Sequence, residues 1–163
     1  MIVVSNASPL ISLAKIDYFY LLEKIFKTIF ISDEIYYEIV FAGENKPGSR
    51  EVKEARWIDK RFALNRKEIE NIRIAYNLGS GEASSIILAK ELKTDLLLVD
   101  EKRARIVANS YGMAVIGTLG FIEICYEKRL VTNLKEIYQK MKEMNIRLDE
   151  NLINNSLKRF GIV

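Results

Sequence analysis

Short apolar segments that alternate with longer helical patterns constrain the fold of this chain more than any other feature. The clearest is residues 96–99, four consecutive apolar residues between Asp95 and Asp100. An apolar run of this length without alternation is typical of a strand buried on both faces of a parallel sheet. A helical pattern at 101–111 and an apolar run at 114–116 then complete a strand–helix–strand unit. This pattern predicts an α/β fold with a mostly parallel sheet.

The rest of the chain extends the same alternation. Further strands are predicted at residues 2–4 and 28–31, with a short or edge strand at 57–58. Ser8 followed by Pro9 predicts the start of the first helix, because serine is a good N-cap and proline suits the first helical position. Further helices are predicted at 18–26, 33–40, 50–56, 66–78, 82–92, 118–128, 133–144 and 149–160. We interpret residues 1–131 as one domain and 132–163 as a helical extension packed on it or on a second copy.

The absence of histidine from the sequence narrows the possible chemistry. It excludes Ser-His-Asp and Cys-His catalysis and histidine zinc sites. Carboxylates then become the main candidates for catalysis, and their oxygens favour Mg²⁺ or Mn²⁺. Cys125 is the only cysteine, which excludes an intrachain disulfide and favours a reducing cytoplasm. We expect no membrane span, because charged residues interrupt every apolar run. We expect no signal peptide, because no basic residues precede the first apolar stretch.

Four polar residues occupy positions where a parallel sheet would form a ligand site. Asn6 follows the first strand and Asp100 follows the strongest one, and ligands bind beyond the carboxyl ends of such strands. Glu38 lies beside the apolar face of a helix, and Glu82 lies in the first turn of another. Each residue also has a structural explanation: Asn6 and Asp100 as caps or turn residues, Glu38 as a solvated side chain, and Glu82 as a partner of the helix dipole.

Five segments in order together resemble the motifs of PIN-domain proteins, most closely the small prokaryotic branch similar to VapC-type toxins. They are residues 3–11 (VVSNASPLI), 35–39 (IYYEI), 78–83 (LGSGEA), 95–105 (DLLLVDEKRAR) and 115–120 (VIGTLG). The resemblance extends from residue 2 to about residue 131. It implies a three-layer α/β/α fold and a Mg²⁺- or Mn²⁺-dependent endoribonuclease, with Glu38, Glu82 and Asp100 as catalytic acids and Asn6 as a fourth metal ligand.

One residue departs from the family pattern, since Asn6 stands where the family usually has Asp. An amide oxygen can bind Mg²⁺ but carries no charge, so the predicted cluster holds three formal charges, with Glu101 as a partial replacement. This leaves an alternative, a PIN-like module without catalysis that binds RNA or a protein partner. An unrelated α/β protein that binds small molecules is a third interpretation.

The predicted partners follow from the same resemblance. Single-stranded RNA is the expected substrate, bound by Ser8, Lys102, Arg103 and Arg105 near the acids. Weaker candidates of the same kind are Lys60, Arg61, Arg66 and Lys67, and the tyrosines 36, 37 and 111 and Phe121 are candidates for stacking on bases. A toxin role would add an antitoxin partner, and a homodimer is expected because PIN-like proteins often pair.

Overall fold

A computed structural model describes all 163 residues and contains five strands, ten α-helices and one π-helical segment. The strands are β1 (Val3–Ser5), β2 (Ile29–Ser32), β3 (Ile58–Arg61), β4 (Leu96–Leu98) and β5 (Val115–Ile116). The helices are α1 (Ala7–Lys15), α2 (Tyr20–Phe26), α3 (Asp33–Tyr36), α4 (Ser49–Glu54), α5 (Arg66–Tyr76), α6 (Ser80–Glu91), α7 (Lys102–Ser110), α8 (Thr118–Glu127), α9 (Leu134–Glu143) and α10 (Glu150–Arg159). Every predicted strand and helix is present in the predicted order.

The five strands form one sheet in which every pairing is parallel. The strand order is β3-β2-β1-β4-β5, so the chain builds outwards in one direction from β1 and then returns to the other side of β1 with β4. A crevice opens at such a reversal, between the carboxyl ends of the two strands that flank it. The α/β fold with a parallel sheet is therefore confirmed, and its topology marks the edge beyond β1 and β4 as the place for a ligand.

Two apolar cores lie on the two faces of the sheet, which explains the unbroken apolar runs of the strands. Val3 and Leu98 belong to the larger core, whereas their neighbours Val4 and Leu97 belong to the smaller one on the opposite face. All four side chains are fully buried. Because successive side chains of a strand point to opposite faces, a strand covered on both sides needs apolar residues at every position. The molecule is thus the expected three-layer α/β/α arrangement.

The last two helices contribute to the larger core. Leu134, Ile137 and Met141 of α9 and Ile153 of α10 are buried in it, together with residues of α1 and α2. A buried hydrogen bond of 2.7 Å joins the Tyr138 hydroxyl of α9 to the Ser156 hydroxyl of α10. Residues 134–159 therefore share the apolar core of the sheet domain in this chain.

None of the helices combines the length and the hydropathy needed to cross a membrane.

Two local differences from the predicted elements concern segments next to the crevice. The first helix begins at Ala7, not at Ser8, because Asn6 is extended and its side-chain oxygen accepts a hydrogen bond from the Ala7 amide at 2.9 Å. The helix predicted over 33–40 is α3 followed by a π-helical segment (Tyr37–Ala42). Single π-helical turns often occur at functional sites, and this one carries Glu38.

Truncation of a buried residue in α9 tests the contribution of the C-terminal helices to the core. Leu134→Ala is expected to lower the free energy of unfolding by about 2–5 kcal/mol, because it removes methyl groups from a fully buried position. Urea unfolding followed by circular dichroism measures this. The matched control is Leu152→Ala in α10, where the side chain is 56% exposed and the change should stay within about 0.5 kcal/mol. Equal, small effects of both substitutions would show that α9 is not part of the folding unit.

Candidate active site

An acidic cavity of about 740 Å³ opens at the carboxyl edge of the sheet. Its walls come from the turns after β1 and β4, from α3 and the π-helical segment, and from the N-terminus of α6. Five acidic residues line it: Asp33, Glu34, Glu38, Glu82 and Glu101. The cavity therefore lies at the crevice that the strand order marks, and it collects carboxylates from distant parts of the sequence.

Asn6 and Glu101 face each other across the reversal of strand order. The Asn6 amide donates a hydrogen bond to the Leu98 carbonyl oxygen at 2.9 Å, which continues the pairing of β1 with β4. The Asn6 side chain is buried, and its Nδ2 donates to Glu101 Oε2 at 3.0 Å. Burial raises the pKa of Glu101, and the charges of Glu82 and Asp100 raise it further, while the Ser8 hydroxyl and the Glu101 amide act in the opposite direction. Asn6 thus presents a donor, not a negative charge, to the neighbouring acid.

Glu38 reaches the cavity from the π-helical segment. The residue as a whole is exposed, but its carboxylate lies against the backbone of Gly81, where a Cβ atom would be 2.7 Å from Glu38 Oε2. Only glycine allows this approach. Burial raises the pKa of Glu38, and repulsion from Glu101 and Glu82 adds to the increase. The electrostatic coupling indicates that these three carboxylates share one site.

Glu82 lies in the first turn of α6, at the cavity wall. Its Oε2 accepts a hydrogen bond from the Gly79 amide at 2.8 Å, which closes the N-terminus of the helix. The structural role expected for this residue and its place in the cavity are therefore compatible, because the capping carboxylate also faces Glu38 and Glu101.

Asp100 differs from the sequence-based expectation, because its side chain does not line the cavity. Its carboxylate accepts two hydrogen bonds of 2.7 Å from Thr118, one from the backbone amide and one from the hydroxyl. Gly117 makes room for it, since a Cβ atom there would lie 2.8 Å from Asp100 Oδ1. Asp100 is thereby bound to the N-terminus of α8, where a carboxylate is favourable. The adjacent residue, Glu101, points into the cavity instead.

Of the four residues expected to bind substrate, only one lies at the cavity. Ser8 lines the cavity, but Lys102, Arg103 and Arg105 do not. Lys102 and Arg103 are exposed on α7, and the Arg105 guanidinium donates to the Val99 carbonyl oxygen at 3.2 Å. These cations lie near the site in sequence, but none of them lines the cavity.

Sequence reasoning missed Asp33 and Glu34, and it gave Glu101 only a minor role. Asp33 and Glu34 form the first turn of α3, where acids are common for reasons of helix stability alone. No pattern in the sequence distinguishes them from ordinary surface acids. For Glu101 the signal is its position in the turn after β4, but the sequence interpretation assigns the ligand role there to Asp100 and gives Glu101 only partial replacement of the charge missing at Asn6.

The donor set of the cavity fits a hard divalent cation in its chemistry. Glu38, Glu82 and Glu101 are oxygen donors that repel one another, and a cation would relieve this repulsion. In the arrangement described, no group of three acidic side chains is close enough together to hold an ion.

Comparison with known families gives one match. The family model DUF3368, described as a PIN domain, matches residues 2–162. The match covers nearly the whole chain, including α9 and α10, and so extends beyond the motifs that carry the sequence resemblance. No curated protein matches the chain.

The electrostatic coupling in the cavity predicts a specific change in titration. Glu101→Gln is expected to lower the pKa of Glu38, because it removes a negative charge that raises that pKa. Carbon-detected NMR titration of the glutamate carboxyl groups measures the pKa directly. The control Glu68→Gln removes an acid whose pKa is lowered by a hydrogen bond from Lys90, and it should leave Glu38 unchanged.

Glu101→Gln should also change how the free energy of unfolding depends on pH. A carboxyl group with a raised pKa in the folded state favours folding below its unfolded-state pKa, and this contribution is lost as the pH rises through the folded-state pKa. Glu101→Gln should therefore stabilise the protein near neutral pH relative to the wild type, and the difference should shrink in acid. If the difference in stability between Glu101→Gln and the wild type grew as the pH fell, it would contradict the repulsion between Glu101 and its neighbouring carboxylates.

Proposed function

The chain belongs to the PIN-domain family, and from that premise we propose that it is a metal-dependent endoribonuclease that cleaves single-stranded RNA at the acidic cavity. Membership of this family indicates a nuclease-type function, and PIN nucleases typically bind RNA. The observation that carries the proposal is the convergence of Glu38, Glu82 and Glu101 on one cavity at the reversal of strand order. These residues are far apart in the sequence, and nothing in the packing of the core requires their carboxylates to meet.

The proposed cofactor is Mg²⁺ or Mn²⁺, in keeping with the divalent ions that PIN domains generally use. Glu38, Glu82 and Glu101 are the residues that would hold it. When bound, such an ion lowers the pKa of water and offsets negative charge at the scissile phosphate. Asn6 orients Glu101 through its hydrogen bond of 3.0 Å, and the Ser8 hydroxyl is available in the same cavity for a polar contact with substrate.

Asn6 supports a second candidate, a PIN-like module that binds RNA or a protein without cleaving it. The side-chain oxygen of Asn6 is already engaged by the Ala7 amide, and its Nδ2 faces Glu101. The residue therefore adds no negative charge to the cavity, and one lone pair of its oxygen is already used in capping the helix. On this hypothesis Mn²⁺ makes no difference to RNA binding and no cleavage occurs.

The roles of toxin, antitoxin target and homodimer stay predictions of the resemblance to VapC-type proteins. They concern partners of the chain, whereas the geometry of the cavity concerns only its chemistry. None of them is needed for the nuclease proposal.

Two adjacent acids provide the sharpest test of the proposed site. Glu101→Gln is expected to reduce Mn²⁺-dependent cleavage of single-stranded RNA by about 100-fold or more, because loss even of a residue that supports a metal ligand costs about 10–100-fold. Asp100→Asn should keep most of the activity, because its side chain binds Thr118 outside the cavity. Gel analysis of a labelled oligoribonucleotide, with and without EDTA, measures both.

Other results of these assays would contradict the proposed site or its metal dependence. If Asp100→Asn lost as much activity as Glu101→Gln while both remained folded, Asp100 would belong to the reacting site. Cleavage that persisted in EDTA would contradict the metal dependence, and absence of cleavage by the wild type with any divalent ion would favour the second candidate.

Metal binding itself can be measured without activity. Asn6→Asp is expected to bind Mn²⁺ more tightly than the wild type in isothermal titration, because it adds a carboxylate beside Glu101 and retains the capping oxygen. Asn133→Asp is the matched control: Asn133 also caps a helix and donates to a glutamate, Glu136, but it lies at the start of α9, outside the cavity. Equal affinities of Asn6→Asp and the wild type would indicate that no ion binds beside Asn6.

A further inference from the structure

We propose that a rim of exposed rings and cations on one side of the acidic cavity binds the bases and phosphates of single-stranded RNA. The members of this aromatic rim are Tyr36, Tyr37, Phe41, Lys60, Phe62 and Arg66. The inference rests on the proposed function for the identity of the ligand as RNA. It adds to that proposal the protein surface along which the RNA strand lies.

Three of the four rings of the rim are unusually exposed for side chains of their size, and the fourth, Tyr36, is half-buried. Tyr37, Phe41 and Phe62 are 63%, 61% and 54% exposed. Phe41 contacts two neighbours in the π-helical segment and α3, with ring centroids 5.8 Å from Tyr37 and 6.0 Å from Tyr36. Exposed apolar side chains that cluster in this way usually mark an interaction surface. Tyr37 also lines the cavity, so the cluster begins at the site itself.

Two cations lie over rings of the rim. Lys60 Nζ lies 4.8 Å from the centre of the Tyr36 ring, and the Arg66 guanidinium lies 4.8 Å from the centre of the Phe62 ring. Proteins bind single strands with such a combination of rings and cations, because bases stack on rings while Lys and Arg contact phosphates.

Ion pairs connect the rim to the cavity wall. Lys60 Nζ lies 3.7 Å from Asp33 Oδ1, and Arg66 pairs with Glu34, whose side chain is largely buried. Asp33 and Glu34 both line the cavity. The rim is therefore continuous with the cavity and is held in place by two of its acids.

The charge distribution favours RNA as the occupant. Five acids line the cavity and would repel the phosphates of RNA. An RNA strand therefore needs cations beside the cavity in order to approach the acids. Lys102 and Arg103 lie elsewhere, on α7. The exposed rings further specify unpaired bases, because the faces of bases in a duplex are already stacked.

The test measures binding with cleavage blocked. A fluorescein-labelled oligoadenylate of about 12 nucleotides, within the range of known single-strand site sizes, is titrated with the full chain in EDTA and followed by anisotropy. The double substitution Tyr37→Ala and Phe41→Ala is expected to weaken binding at least about tenfold, since each base–ring stack contributes a comparable factor. Tyr37→Phe retains the ring and should bind like the wild type.

The chain offers a matched control for ring removal. Tyr20 on α2 is 48% exposed and lies under Lys24 at 5.3 Å, but it is not part of the cavity or the rim. Tyr20→Ala should leave affinity unchanged. Lys60→Gln should reduce the slope of log affinity against log salt by about 0.7, as expected for one lost phosphate contact on a single strand. Urea unfolding of each variant verifies that it is folded.

The outcomes separate this inference from the proposed nuclease function. Weaker binding by the double variant supports the rim even if the wild type cleaves no RNA. Affinity equal to that of the wild type, or an equal loss in Tyr20→Ala, overturns the rim even if the cavity proves catalytic. Equal binding of a duplex and a single strand also overturns it, and a protein would then be the better candidate for this surface.

Discussion

The parallel pairing of β1 with β4 is the interaction on which the rest of the structure depends. The two strands start 93 residues apart in the sequence, at Val3 and Leu96, and these two residues pair. Asn6 extends the pairing through the hydrogen bond from its amide to the Leu98 carbonyl oxygen. The pairing reverses the strand order and opens the crevice at the carboxyl edge. It also brings the turn after β1 against the turn after β4, so that Asn6 meets Glu101. Without this single pairing the acidic cavity would not exist.

The carboxylates of the cavity line one crevice despite their mutual repulsion, and the surrounding backbone stabilises them there. Glu82 accepts the Gly79 amide at the N-terminus of α6, and Glu38 lies against Gly81 in the same turn. The positive end of a helix stabilises negative charge, and Gly81 leaves room for the Glu38 carboxylate against the backbone. Burial raises the pKa of Glu38 and of Glu101, and repulsion from neighbouring carboxylates adds to the increase. A site of this kind is suited to a ligand that brings positive charge.

The cavity and the aromatic rim have opposite chemical characters and adjoin each other. Acids that would hold an ion also repel the backbone of a nucleic acid, so attraction must come from elsewhere. Lys60 and Arg66 provide it at the rim, and their ion pairs with Asp33 and Glu34 keep them next to the acids. Exposed rings beside them add affinity for unpaired bases that depends little on salt. Our two proposals therefore place the chemistry in the crevice and the binding of the RNA strand at its edge.

The sequence by itself determined the α/β class and the order of strands and helices along the chain. Apolar runs such as 96–99 reflect burial on both faces, which is local information, and Asn6 and Glu82 follow from element ends. Glu38 and the three layers follow instead from the resemblance to PIN-domain motifs. Only the tertiary structure shows that Glu101, and not Asp100, lines the cavity. Their directions depend on Thr118, which lies 18 residues from Asp100 and reaches it only after β5 has joined the sheet. The rim likewise joins residues of β3 to those of α3 and the π-helical segment, and no local pattern encodes such a contact between distant elements.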